Sequence, residues 1–143
     1  MSLAPSLTIR LARSDELQAC ADLYVRVLRE TFTWIPKDRH KAEDFLRAAE
    51  EEDVFVAVED GRIVGLAALY RPQQFLHSLY VDERGRGVGK ALLDHVIAAA
   101  GGRLSLKCQT ANLGAQAFYV REGFRCTEAG EDGGVAWLRF VIG

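Results

Sequence analysis

The chain has 143 residues, a formal charge of −2, 49% apolar residues and 27% charged ones. That length closes one substantial core and leaves too little for a second, so a single domain over residues 1–143 is expected. A mildly acidic balance with no basic block excludes the charged face of a nucleic-acid binder, and no apolar run approaches the ~18–20 residues of a membrane span.

The start, Met1-Ser2-Leu3-Ala4, lacks the basic and apolar regions of a secretory leader, which predicts a cytoplasmic setting; residues 1–3 also read as a cloning remnant. Cys20, Cys108 and Cys126 are odd in number and far apart, suiting neither a disulfide framework nor zinc, and His40, His77 and His95 are equally scattered. No metal is expected.

In chain order, Thr8 to Ala12 alternates like a short strand, and Ser14 offers an N-cap with Asp15 and Glu16 suited to the positive end of a helix. Leu17, Cys20, Ala21, Tyr24, Val27, Leu28 and Phe32 then repeat at three-and-four spacing, so that helix has one apolar face. Pro36 interrupts, and Asp38 offers a cap for a second helix carrying Ala42, Phe45, Leu46 and Ala49. Val54 to Val58 and Arg62 to Tyr70 read as an antiparallel pair across Glu59-Asp60-Gly61, with Phe75 to Val81 as the next strand. Ala91, Leu92, His95, Val96 and Ala99 mark a helix ended by Gly101-Gly102, followed by a strand over Arg103 to Gln109. Asn112 caps a helix through Glu122, and Phe124 to Glu128 pairs with Val135 to Ile142 across Glu131-Asp132-Gly133-Gly134. Strand, crossover helix and strand make a parallel unit, so Phe75–Val81 is antiparallel to one neighbour and parallel to the other. The expected fold class is α/β with a mixed, twisted sheet in the order β-α-α-β-β-β-α-β-α-β-β.

Between the third of those central strands and its helix stands Arg84-Gly85-Arg86-Gly87-Val88-Gly89-Lys90. Glycines there let a ligand approach the main chain, and the unpaired N–H groups of a first helical turn attract an anion. The dinucleotide spacing G-x-G-x-x-G fails, because Lys90 and Leu92 occupy the third glycine's place from Gly85 and Gly87. The Walker pattern fails too, with Arg84 and Ala91 where a glycine and a Ser or Thr belong.

Arg84-x-x-Gly87-x-Gly89 does fit the [QR]-x-x-G-x-[GA] turn, and the chain resembles the GNAT superfamily of N-acetyltransferases there. The resemblance continues over residues 112 to 124, where Asn112, Ala115, Tyr119 and Gly123-Phe124 keep the spacing of the superfamily's second motif. Motif similarity spans roughly residues 74 to 126, and the first half agrees in element order. The resemblance implies a GNAT-like sheet with helices on both faces, and acetyl-CoA as cosubstrate across Val81 to Lys90. It implies that Arg84, Gly85, Arg86, Gly87, Val88, Gly89 and Lys90 surround the pyrophosphate. It also implies that the Leu79 N–H faces the acetyl carbonyl, that the Val81 main chain follows the pantetheine, and that Asn112 helps hold the cofactor region besides capping its helix. Tyr119 matches the position that protonates the thiolate.

The chemistry then asks for a neutral amine, an oxyanion donor and a partner for the departing sulfur. An alkyl amine of pKa ~10.4 is neutral in about one molecule per few thousand at pH 7, so a base is expected. His77, on the strand beside the thioester and sharing a face with Phe75, Leu79 and Val81, is the candidate; a hydrogen-bonded core histidine is the plain alternative, and Glu59, Glu83 and Glu128 stay open. A phenol near 10 yields its proton to a thiol near 8.5 only at a cost of about 2 kcal/mol, so Tyr119 is expected to act chiefly as a hydrogen-bond donor. Phe32, Trp34 and His77 are the expected acceptor lining, with Arg39 and His40 nearby and Trp34 alternatively a lid over the core. A small-molecule or peptide amine is the expected acceptor and a homodimer is left open. The rival function is a catalytically inactive acyl-CoA sensor or interaction domain.

Overall fold

The computed structural model describes residues 7–31, 41–82 and 87–143. Its order is β1 (Leu7–Leu11), α1 (Leu17–Thr31), α2 (Ala42–Ala49), β2 (Asp53–Glu59), β3 (Arg62–Tyr70), β4 (Phe75–Val81), α3 (Val88–Ala99), β5 (Leu104–Gln109), α4 (Leu113–Arg121), β6 (Arg125–Asp132) and β7 (Val135–Ile142). This is the element order expected from the sequence. The strands form one seven-stranded sheet in the spatial order β1-β2-β3-β4-β5-β7-β6. Every neighbouring pair is antiparallel except β4 with β5.

Alternation sorts the side chains into two layers. Phe55, Leu69, Leu76, Leu104, Leu106 and Phe140 point to one face, where Val88, Leu92, Leu93 and Val96 of α3 and Tyr119 of α4 meet them. Val54, Val56, Leu66 and Ala68 point to the other, covered by Cys20, Ala21 and Leu23 of α1 and Phe45 and Ala49 of α2. The helices therefore lie on both faces, and each owes its place to an apolar stripe matched to the pleat.

Several boundaries differ from the sequence expectation. Ser14 opens a short 3-10 turn, Ser14–Glu16, instead of capping α1; the N–H of Arg13 is satisfied by the Glu16 carboxylate at 2.8 Å. Lys41 holds the cap position of α2, while Asp38 and Phe32 lie outside the described residues. β6 runs to Asp132, four residues beyond the expected Glu128, because Gly133 and Gly134 both take positive φ and close the hairpin in two residues. His95, expected on the buried face of α3, is exposed; Leu93 is buried on that helix.

Candidate active site at the split of the sheet

Pairing between the parallel strands is confined to Phe75 with Ser105 and Leu76 with Leu106. Beyond Leu76 the two strands part, and the register of β4 shows why. Against β3, Leu69 faces Leu76 but Ala68 faces Ser78, so His77 is an extra residue, a β-bulge.

A one-residue bulge reverses the phase of everything after it. Gln74 presents its carbonyl to β5, accepting from the N–H of Ser105 at 3.0 Å, whereas Asp82 turns to β3, donating to Val64 O at 2.8 Å. N–H and C=O groups of alternate strand residues point to the same edge. Counting back from Asp82, Tyr80 and Ser78 turn to β3, and Leu79 and Val81 turn their main-chain groups towards β5, where the ladder has ended. The bulge thus aims two backbone N–H groups into the split.

The same shift corrects the expected orientation of His77. Leu79 and Val81 pack towards α3 and α4. His77 instead lies on the α1/α2 side with its side chain 52% exposed, and its Nδ1 is 3.0 Å from Glu52 Oε2. The ring of Phe75 is 6.4 Å away. His77 therefore shares a face with Phe75 but not with Leu79 or Val81, and it is not a core histidine. Glu52, on the turn between α2 and β2, has a side chain only 6% exposed. Its hydrogen bond raises the imidazole above its ordinary pKa, outweighing the opposing effect of partial burial.

At the far end of β4 the chain enters α3. Gly87 holds the cap position with φ +78°, a left-handed conformation that favours glycine, and a Cβ there would meet nothing within 4 Å. Among the described residues no side chain caps this helix, and the first N–H to bond back is that of Ala91, to Gly87 O at 3.1 Å. The N–H groups of Val88, Gly89 and Lys90 have no acceptor within the helix. A Cβ on Gly89 would lie 3.8 Å from Val81 and 3.9 Å from Phe118, so the first turn of α3, the end of β4 and α4 converge. The Lys90 ammonium is engaged elsewhere, 2.6 Å from Glu122 at the end of α4 and 3.5 Å from Asp94. Arg84, Gly85, Arg86 and Glu83 lie outside the described residues, as do Phe32, Trp34, Arg39 and His40.

Asn112 caps α4 as expected, its Oδ1 accepting from the Ala115 N–H at 3.2 Å. Tyr119 is 9% exposed, with Phe118, Phe124 and Phe140 ring centroids 5.3, 5.6 and 6.2 Å away. Burial pushes its phenol above the ordinary value, with Cys108 adding to the rise. Burial likewise pushes the Cys108 thiol up to about 11. Glu59 lies at the β2–β3 turn and Glu128 pairs with Arg139 at 3.0 Å on the outer hairpin, so neither joins His77 at the bulge.

Composition and spacing did not single out three other residues here, Tyr80, Lys107 and Trp137. Tyr80 stacks edge-on against Tyr24 of α1 at 5.5 Å, with its phenol raised first by burial. Farther along the same face, Lys107 stands 4.2 Å over the ring of Trp137, and the Trp137 Nε1 is buried without a partner among the described residues. No group of three or more His, Cys, Asp or Glu suited to a metal occurs among the described residues, and no described helix is long and apolar enough to cross a membrane.

These features define an α/β fold whose parallel pair splits into a cleft lined by main-chain donors. The model of the acetyltransferase (GNAT) family matches residues 17–124, and the chain belongs to that family. It is 30% identical to an uncharacterized N-acetyltransferase of Methanocaldococcus jannaschii, over 98% of this chain and 68% of that one. It is 29% identical to the peptidyl-lysine N-acetyltransferase YjaB of Escherichia coli, over 87% and 86% of the two chains. The solution structure of apo YjaB superposes with a TM-score of 0.78 over 95% of this chain and 97% of that one. The PaiA N-acetyltransferase of Thermoplasma acidophilum, solved with coenzyme A, shares the fold at 18% identity and a TM-score of 0.73, covering 94% and 98% of the chains.

Proposed function

We propose that this protein transfers the acetyl group of acetyl-CoA to a primary amine by direct attack within a ternary complex. The observation that carries the reading is the bulge at His77, which turns the Leu79 and Val81 main chain into a split that opens beside the glycine start of α3. The residues present fit the cosubstrate. N–H groups at Val88, Gly89 and Lys90 that have no acceptor among the described residues, with no described atom over Gly87, suit a diphosphate, and the glycine-arginine segment Arg84 to Arg86 precedes them in sequence. The cosubstrate supplies an activated thioester with a thiolate leaving group.

Each remaining task falls to this chain. The Leu79 N–H stabilises the oxyanion, and it needs no reorganisation because the strand fixes it. The Val81 main chain orients the pantetheine arm. Tyr119, whose raised pKa makes full proton transfer to sulfur costlier than in water, hydrogen-bonds the developing thiolate. His77 accepts the proton of the incoming ammonium, and Asn112 fixes α4 so that Tyr119 stays in place. A covalent route through Cys20 or Cys108 is disfavoured, since both are held at about 11 by burial and carry little thiolate at neutral pH. The acceptor enters from the α1/α2 side, with Phe32 and Trp34 lining its path. YjaB's peptidyl-lysine acceptor supports a lysine ε-amine as the acceptor class, free or in a peptide.

The test is thiol release with acetyl-CoA across a panel of lysine peptides and small amines, with products identified by mass spectrometry. Amine-dependent release and an acetylated amine are expected. Saturable CoA binding without acceptor-dependent release would instead make the protein an acyl-CoA sensor, and no association at millimolar CoA would overturn the assignment of the split.

A further inference from the structure

We propose that Glu52 is a positioning residue of this site: it grips His77 at Nδ1 and so leaves Nε2 as the proton acceptor for the amine. The inference rests on the function proposed above and adds to it a residue outside both sequence motifs.

A carboxylate on an exposed turn normally faces water, yet the Glu52 side chain is 6% exposed and its partner is a histidine that remains 52% exposed. Burying a carboxylate is costly unless it is hydrogen-bonded. An ionised carboxylate can only accept, so a 3.0 Å approach places the ring hydrogen on Nδ1. The lone pair of the neutral ring is then on Nε2. This fixes the tautomer and the tilt of a side chain that stands at the bulge, two residues before the Leu79 N–H.

Among the described residues, Glu52 is the charged group that acts on His77. Other charges around β4 are engaged elsewhere. Arg71 at its start pairs with Asp53, and Asp82 at its end pairs with Arg26 of α1 at 2.8 Å and Arg62 of β3 at 3.5 Å.

The proton count closes without another reactant. The ammonium gives one proton to His77 Nε2, and the freed lone pair forms the N–C bond. The C–S bond breaks, its electron pair leaving on sulfur. The second nitrogen proton passes to the thiolate, and His77 returns the first to solvent, so each turnover makes one amide, one thiol and one proton.

Glu52→Gln and His77→Gln, assayed as kcat/KM against pH with CoA affinity measured in parallel, test the assignment. Wild-type activity should rise with pH through the raised His77 titration. Removing the carboxylate charge should move that acid limb to lower pH and lower kcat severalfold, with CoA affinity unchanged. His77→Gln should lose about 100-fold or more and abolish the limb. NMR titration of the His77 ring should show the same downward shift in Glu52→Gln. An acid limb and ring titration unmoved in Glu52→Gln, with only stability reduced, would overturn the positioning role. Retained turnover in His77→Gln would remove the base itself, and lost CoA binding in wild type would remove the parent reading, so the three failures are distinguishable.

Discussion

Tyr119→Phe isolates one hydroxyl in a position that packing alone also explains. The ring sits among Phe118, Phe124 and Phe140 and is 9% exposed, so phenylalanine fills the same space and leaves those contacts intact. What disappears is the hydroxyl proposed to face the sulfur. A hydrogen bond to a charged group contributes about 1.5–3 kcal/mol. If it is made chiefly in the transition state, kcat should fall roughly 10- to 150-fold at 1.36 kcal/mol per decade. Because burial raises the phenol above its ordinary value, the gap to a thiol near 8.5 exceeds the ~1.5 units of free tyrosine, so the loss measures hydrogen bonding and not acid catalysis. Initial rates of thiol release at saturating amine give kcat, and calorimetry gives the CoA affinity. Turnover should drop while affinity and melting temperature stay close to wild type. Weakened CoA binding or a large melting shift with kcat preserved would refute the catalytic argument and leave Tyr119 as packing.

Gly87→Glu should abolish CoA binding, since it places like charge at the helix start and a side chain at φ +78°; Gly87→Ala adds only the strain, about 1–2 kcal/mol, and calorimetry should rank the two in that order. Asn112→Ala removes a cap bond and should lower stability by about 1 kcal/mol in urea melts, with a smaller effect on kcat than Tyr119→Phe. Gly130→Ala would drive a Cβ into the Trp137 ring at Cζ2, which forces the indole aside; about 1–3 kcal/mol of stability should be lost and the Trp137 fluorescence changed in a Trp34→Phe background. The Arg10 hydrogen bond, followed by the Arg13 N–H, lowers the Glu16 carboxyl from 4.5 to about 2. Its folded value is depressed, so the stability it lends is complete above the unfolded value and fades as pH falls towards about 2; Glu16→Gln should flatten that part of the acid melting curve.

The element order was legible because α1, α2 and α3 carry three-and-four apolar stripes and most of the breaks carry Gly, Pro or Asn. Boundaries failed where a local alternative was equally good. Ser14 and Asp38 are sound caps by type, but the Glu16 carboxylate and Lys41 occupy the positions that matter. The glycine segment and Asn112-to-Phe124 were legible as motifs, whereas the contact between Glu52 and His77 joins residues 25 apart in sequence and left no local pattern. Trp137 over Gly130 escaped notice for the same reason: the missing Cβ matters only once β6 and β7 are in register.

The bulge is the part of the site least visible in the residues and most consequential in the fold. Had β4 kept its alternation from Leu76 onward, the residues facing β5 would have been Ser78 and Tyr80, and Leu79 would have bonded to β3. Accommodating His77 as a bulge instead gives the Leu79 and Val81 N–H groups to the split, puts their side chains against α3 and α4, and brings Ser78 and Tyr80 to the α1/α2 face. His77 itself stands on that face within reach of Glu52. One extra residue therefore separates the chemistry by side: main-chain donors and Tyr119 where the thioester would lie, an imidazole and its carboxylate where the amine would arrive. Deleting His77 outright leaves Ser78 opposite Ala68 and so keeps the phase of Leu79 and Val81, but it removes the proposed base together with the bulge and lets β4 continue its ladder with β5; turnover should fall further than with any substitution at position 77. Equal turnover in the deletion and in His77→Gln would show that the bulge itself does not matter to the reaction.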